Sequence, residues 1–205
     1  MIVDLVTLVA TTVVWALAVV WLRARRRWLL FYMIGGLGFI LVVLFWASTF
    51  GLDTALEAAE ARQTVGLSGF IGVALSLLGH TGIAIPNHTG WAVFDVGIEC
   101  SALLEMSAIV GLVAFYPGFS PRRKALYALI GILVTYAVNL ARIMLIVAII
   151  NAFGTSWVFA AHAVFDRVLF FIGTVALYWW IVTRPTVAAV AERIEAPAAE
   201  VVADE

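Results

Sequence analysis

The chain has 205 residues, of which 64% are hydrophobic and 12% are charged, and its mean hydropathy is +1.09. Soluble domains are roughly 45–50% apolar and about 25% charged, so this composition excludes an ordinary soluble globular protein and indicates a membrane protein. Twelve basic and thirteen acidic residues give a net charge of -1, which argues against a nucleic-acid partner. With one cysteine and three histidines, neither an intramolecular disulfide nor a cysteine-rich zinc site is expected, and we expect no cofactor.

The apolar stretches predict an all-α fold, a polytopic transmembrane helix bundle. A span needs about 20 apolar residues to cross roughly 30 Å of hydrocarbon. A further stretch, Val65 to Gly79, is only about 15 residues long and rich in glycine, which favours a re-entrant or interfacial helix. Five stretches are long enough to span: Ile2 to Leu22, Trp28 to Phe50, Val96 to Tyr116, Ala125 to Ile150 and Trp157 to Val182.

The basic residues orient this bundle. Clusters at 23–27 and 122–124, together with Arg184, lie between or after the predicted spans. Short loops rich in Lys and Arg stay cytoplasmic. Five spans with an outside N-terminus place all three clusters inside, whereas a sixth span through Val65 to Gly79 would separate them. We therefore predict that the segment Asp53 to Asp95 lies outside.

Two segments differ from the spans. Pro86 to Gly90 is a turn cluster flanked by β-branched and aromatic residues, which predicts a small outside β-ribbon leading to Cys100. Pro185 to Glu205 is rich in Ala, Val and Glu without an apolar face, which predicts a disordered cytoplasmic tail. The transmembrane domain is therefore expected to comprise residues 1–184, and the tail residues 185–205.

Polar side chains inside the predicted spans are the candidate functional residues, because charges at helix centres cost about 2.5–3.5 kcal/mol on insertion scales. At 1.5 Å per residue, Cys100 lies about 6 Å and His162 about 7 Å below the outer edge, while Arg142 lies about 12 Å or less from the outer end of its span. Three reactive side chain types are thus expected at similar depth under one face. The full set is Glu99, Cys100, Glu105, Asn139, Arg142, His162, Asp166 and Arg167.

This set is suited to nucleophilic acyl transfer. Cys100 is expected to open a helix, where the unpaired N–H groups favour a thiolate, with His162 as its base. Asp166 lies one turn after His162 and is placed to orient it or balance its charge. Arg142 would stabilise an oxyanion, with Asn139 on the same helical face.

Structural roles are the alternatives. Cys100 alone would be a small apolar filler, and Arg142 with Glu105, or Asp166 with Arg167, would form ion pairs. His162 would be an interfacial histidine. His80 and His88, with Asp95, are weaker candidates for metal ligands because their spacing fits no strong pattern.

The order of these motifs resembles the exosortase/archaeosortase family. The resemblance lies in Cys100-Ser101 opening one span, Asn139-Leu140-Ala141-Arg142 in the next, and His162 at the outer end of the third. It covers roughly residues 96–182, and Ala102 stands where the family usually has glycine. It implies a polytopic membrane enzyme of the prokaryotic cell membrane with its active site toward the outside, and it implies Cys100, Arg142 and His162 as catalytic residues.

The resemblance also implies a partner, a membrane-anchored substrate protein whose C-terminal sorting signal combines a motif, a transmembrane helix and a basic cluster; membrane lipid surrounds both proteins. Cys100 would cleave this signal through a thioester as a cysteine protease or transpeptidase, supported by Glu99, Ser101, Asn139 and Asp166. Two alternatives are a non-catalytic membrane subunit of an envelope or polysaccharide assembly system, and a membrane acyltransferase that uses the same cysteine.

Overall fold

A computed structural model describes residues 2–88, 90–160, 164 and 166–187. It is 77% helical, with four helices long and apolar enough to cross a membrane and one small sheet, which confirms the predicted transmembrane helical fold with a β-ribbon. The helices are α1 (Ile2–Ala24), α2 (Trp28–Phe50), α3 (Leu52–Gly66), α4 (Leu103–Phe115), α5 (Pro121–Phe153), α6 (Val158–Ala160) and α7 (Asp166–Tyr178). Short 3₁₀ turns occupy Ser68–Ile71 and Thr155–Trp157, and a π-helical segment, Trp179–Thr183, follows α7.

The sheet is antiparallel and has the order β1-β2-β3, with β1 (Ser76–Leu78), β2 (Gly82–Asn87) and β3 (Gly90–Asp95). β2 and β3 form the predicted hairpin, in which Asn87 pairs with Gly90 around a two-residue loop. The third strand, β1, was not predicted. It pairs with the other edge of β2 and lies within the stretch that was assigned to a helix.

The predicted helix from Val65 to Gly79 is wrong. α3 ends at Gly66, the 3₁₀ turn follows, and the chain then enters β1. Gly72 ends the 3₁₀ turn with a φ of 67°, a left-handed conformation that glycine adopts without strain. The glycines that suggested a membrane-embedded helix instead interrupt helical structure.

The third predicted span is shorter than expected. α4 begins at Leu103 rather than near Val96, and its 13 residues extend about 20 Å. Cys100 therefore lies in a turn before the helix and does not open it. The carbonyls of Glu99 and Cys100 accept hydrogen bonds from side chains of α5. These long-range bonds hold the turn before Leu103 against α5.

The last predicted span also differs in its bounds. Trp157 ends a 3₁₀ turn, and the final candidate span is Arg167–Val187, which includes the π-helical segment. His162 lies outside the described residues. The helix continues to Val187, and residues 188–205, which make up most of the predicted tail, also lie outside the described residues.

α5 is the longest helix and connects the two ends of the molecule. Its 33 residues extend about 50 Å, well beyond roughly 30 Å of hydrocarbon. Its last turns pack against the sheet, and the resulting core is apolar and almost fully buried. The central members of that core are Ile83, Ile85, Ile143, Ile146, Val147 and Ile150.

The opposite end of the molecule carries the basic clusters. The Lys124 ammonium at the start of α5 donates to the carbonyl of Ala114 in α4 and lies close enough to Arg23 for electrostatic interaction. The hydroxyls of Tyr116 and Thr186 are 2.9 Å apart. These contacts bring together the helix ends that carry all three basic clusters, as the five-span topology requires. We call this region the basic end.

Candidate active site

Cys100 lies between β3 and α4, at the end of the molecule opposite the basic end. Its N–H donates to the carbonyl of Gly97 over 2.8 Å, and its side chain is 4% exposed. We call residues 97–102 the cysteine loop. A cavity of about 700 Å³ lies beside this loop. It is lined by Val93, Phe94, Asp95, Gly97, Ile98, Glu99, Cys100, Thr155, Ser156, Val158 and Phe159.

Asn139 connects α5 to the cysteine loop. Its side chain is fully buried, and its amide nitrogen donates to the carbonyl of Cys100 over 2.8 Å and to Glu60 Oε1 over 3.1 Å. Its amide oxygen accepts from Arg142 Nη1 at 3.3 Å. A single amide thus bonds to the backbone of Cys100, a carboxylate and a guanidinium.

Arg142 lies almost one turn beyond Asn139 on the same face of α5. The residue is 5% exposed, and its Nη2 donates to the carbonyl of Glu99 over 2.9 Å. A guanidinium has a rigid fork of five N–H donors, so two bonds in different directions fix its plane. The charge of Arg142 is therefore held beside the cysteine loop.

Glu60 on α3 is the residue of the site that the sequence analysis missed. It is completely buried, and its Oε1 accepts from the N–H of Ala102 and from Asn139, each over 3.1 Å. Its Oε2 has no hydrogen-bond partner within the described part of the chain. Burial raises the pKa of Glu60 to about 7, although the two N–H donors and the charge of Arg142 oppose that shift.

A sequence signal for Glu60 does exist. It shares one helical face with small residues at Ala61 and Thr64 and with Glu57, and all four are buried. A stripe of small residues indicates close helix contact. The acidic residues of α3, Asp53 among them, obscure this signal because acidic helices are usually exposed.

The structure brings together five of the seven predicted site residues. Ser101 is buried, and its hydroxyl donates to the carbonyl of Ile98 over 3.1 Å, which makes it a support of the loop. Glu99 contributes its carbonyl to Arg142, and its exposed side chain lines the cavity. The remaining members of this group are Cys100, Asn139 and Arg142. His162 and the side chain of Asp166 lie outside the described residues, so their predicted roles stay predictions.

The metal alternative gains no support from the described residues. Within them, no group of three His, Cys, Asp or Glu side chains is placed to hold a metal ion. Asp95 accepts a hydrogen bond from the hydroxyl of Thr81 over 2.7 Å. The ring of His88 lies against Gly154, at the end of α5.

The fold and the site define a multi-pass membrane protein with a buried cluster of cysteine, asparagine, arginine and glutamate beside a cavity. The family model described as transmembrane exosortase matches residues 2–180, so the chain belongs to the exosortase family. Comparisons with curated proteins and with solved structures give no match. Family membership supports a membrane transpeptidase or protease role in general, acting on substrate proteins that carry sorting signals.

Proposed function

We propose that the protein is a cysteine protease or transpeptidase that cleaves the C-terminal sorting signal of exported proteins at the outer face of a prokaryotic cell membrane. The observation that carries this proposal is the contact between the cysteine loop and α5. Asn139 and Arg142 bind the carbonyls of Cys100 and Glu99, beside a cavity large enough for a peptide.

The proposed reaction has two steps. The Cys100 sulfur attacks the scissile carbonyl carbon while its proton passes to His162, and the oxyanion forms near the Arg142 guanidinium. The C–N bond then breaks, the leaving amine takes the proton from His162, and a thioester remains on Cys100. Water or an acceptor amine attacks the thioester and releases the thiol. Oxyanion donors of this kind contribute about 3–4 kcal/mol.

The depth of the site supports cleavage at the outer boundary. Asn139 follows Lys124 by 15 residues, which is about 22 Å along α5. If Lys124 lies at the cytoplasmic boundary, as the positive-inside rule requires, the cysteine loop lies about 8 Å below the outer limit of a 30 Å core. A substrate helix arriving through the lipid would present its outer end at this level, with its basic cluster inside.

The proposal takes residues 1–184 as the catalytic domain, with Asp166 assisting His162. The N-terminus and the segment Asp53 to Asp95 would face outside, and residues 122–124 would face the cytoplasm. Impermeant labelling of single cysteines introduced at the exposed positions Ala74 and Ser120, in a Cys100→Ala background, tests this orientation. Labelling of the second position from outside would contradict it.

The central experiment follows unprocessed substrate in the membranes of the producing cell. Cys100→Ala should abolish processing, and Cys100→Ser should nearly do so because a hydroxyl is a much weaker nucleophile near neutral pH. Variant abundance is measured alongside. A normally produced Cys100→Ala protein that still processes its substrate would favour the non-catalytic subunit, whereas a fatty acyl thioester trapped on Cys100 would favour the acyltransferase.

A further inference from the structure

The wall of the cavity beside Cys100 contains three consecutive residues of β3, Val93, Phe94 and Asp95. Alternate side chains of a strand point to opposite faces of a sheet. Because Val93 is exposed and Phe94 is buried, residues of both faces border the same cavity. The cavity therefore lies along the edge of β3 and not against one face of the sheet.

The pairing register shows which backbone groups face this edge. In a two-residue hairpin the closing pair, Asn87 and Gly90, is hydrogen-bonded, and bonded pairs then alternate along the ladder. The N–H of Val96 donates to the carbonyl of Thr81, in agreement with this alternation. The even-numbered residues of β3 therefore bond to β2.

Trp91, Val93 and Asp95 consequently direct their backbone N–H and C=O groups away from β2. No strand within the described residues pairs with that edge of β3. Across the cavity, the facing wall is formed by residues of the 155–159 segment. The resulting trough ends at Cys100.

We propose that the free edge of β3 binds the extended segment of the substrate that lies just before its transmembrane helix. This segment would add to the sheet as a further β-strand. This proposal rests on the proposed function. Main-chain bonds to a sheet edge hold a peptide extended and tolerate varied side chains. Such a strand would lead its scissile carbonyl along the trough to the sulfur of Cys100.

The direction of the added strand follows from the path of the chain. β3 runs toward Cys100 and then into α4, which leads to the basic end. The exported part of the substrate precedes the scissile bond and lies outside, so the substrate would run parallel to β3. Its N–H groups would point to β3 at every second residue.

Val93→Pro tests the edge directly. Proline removes one edge-facing N–H and is tolerated on edge strands, whereas Val93→Thr keeps the N–H and changes the side chain. Substrates are defined as proteins that retain their C-terminal membrane helix in the Cys100→Ala strain. We expect Val93→Pro to slow processing of these proteins at least 10-fold, and Val93→Thr, which keeps the edge-facing N–H, to slow it far less.

The other outcomes are also decisive. Normal processing by Val93→Pro would overturn the edge model, and equal loss in both variants would assign the effect to the side chain and also overturn it. If Val93→Pro is produced poorly, the same comparison is made at Trp91, with Trp91→Pro as the test variant and Trp91→Phe as its control. If Cys100→Ala itself accumulates no substrate, the proposed function fails independently of the edge.

Peptides give a second measurement on the intact protein. Synthetic peptides of the segment before the membrane helix of one accumulated protein compete with its processing. N-methylation at alternate residues should weaken competition at least 10-fold, and methylation at the intervening residues should not. Equal effects at both sets of positions would contradict strand addition.

Discussion

The basic end of the molecule and the cysteine loop depend on polar residues that serve different purposes. At the basic end, Lys124 at the start of α5 and Tyr116 after α4 each bond to a neighbouring segment. At the cysteine loop, Asn139 and Arg142 from the middle of α5 are buried and bind backbone carbonyls of the loop as well as each other. The contacts at the basic end hold helix ends together, whereas the contacts at the cysteine loop fix the positions of the Glu99 and Cys100 carbonyls and of the Arg142 guanidinium. Substitutions in these two regions should therefore have different effects on turnover and on stability.

The largest difference is expected between two arginines of α5. Arg142→Lys should lower turnover by about 100-fold or more, because an ammonium has one donor nitrogen in place of the two that bond Asn139 and Glu99 and cannot stabilise an oxyanion in the same position. Arg123→Lys, at the basic end, keeps the charge and should leave turnover within about 2-fold. Processing rates normalised to protein abundance provide the measurement. Equal effects at both positions would remove the distinction between the two regions.

Asn139→Leu should have the next largest effect, now on folding stability. It removes one hydrogen bond each from the Cys100 carbonyl, Glu60 and Arg142, and the loss of a partner by a buried polar group costs about 1–3 kcal/mol. Tyr116→Phe removes one bond at the basic end and should cost about 1 kcal/mol. Unfolding in detergent compares the two variants. A stable Asn139→Leu protein would show that the network is dispensable.

Glu60 should make stability depend on pH. Its carboxyl has a pKa near 7 in the folded protein, against an ordinary value of 4.5. Relative to Glu60→Gln, the contribution of Glu60 to stability is fully present below pH 4.5 and is lost as the pH rises through 7. The difference between the two unfolding curves should therefore change by a few kcal/mol over this window and remain constant outside it. A constant difference from pH 4 to 8 would contradict the raised pKa.

The smallest effect concerns Glu105, whose negative charge raises the pKa of Glu60. Glu105→Gln should move the Glu60 transition to lower pH, by less than one unit, and should retain appreciable turnover. The same unfolding curves measure the shift. A folded Glu105→Gln protein without turnover would place Glu105 among the catalytic residues.

Local sequence patterns were sufficient to predict the long helices, the hairpin and several residues of the candidate site. Apolar length predicts α1, α2 and α5, and the turn cluster at Pro86 to Gly90 predicts the hairpin. Polarity inside an apolar stretch identifies Cys100, Asn139 and Arg142 as members of one site. These signals depend only on the neighbours of each residue in the chain.

The missed features depend on contacts between distant segments. α4 begins only at Leu103, after a turn in which the carbonyls of Glu99 and Cys100 accept hydrogen bonds from side chains of α5. Glu60 looks like a surface residue of an acidic helix until α3 packs on α5 and the loop. The orientation of the edge of β3 likewise depends on the register with β2. No periodicity in the sequence encodes these pairings.

The hydrogen bonds of Glu60 also bear on the stage of protein synthesis at which the site can assemble. They join residues 42 and 79 positions apart, Ala102 and Asn139, so the arrangement around Cys100 requires three separate segments. A nascent chain with only its first helices inserted contains neither the cysteine loop nor its supports. If the proposed function holds, reactivity would be postponed until synthesis has passed His162 and the helices have assembled, and an incomplete chain would present no formed catalytic centre to other membrane proteins.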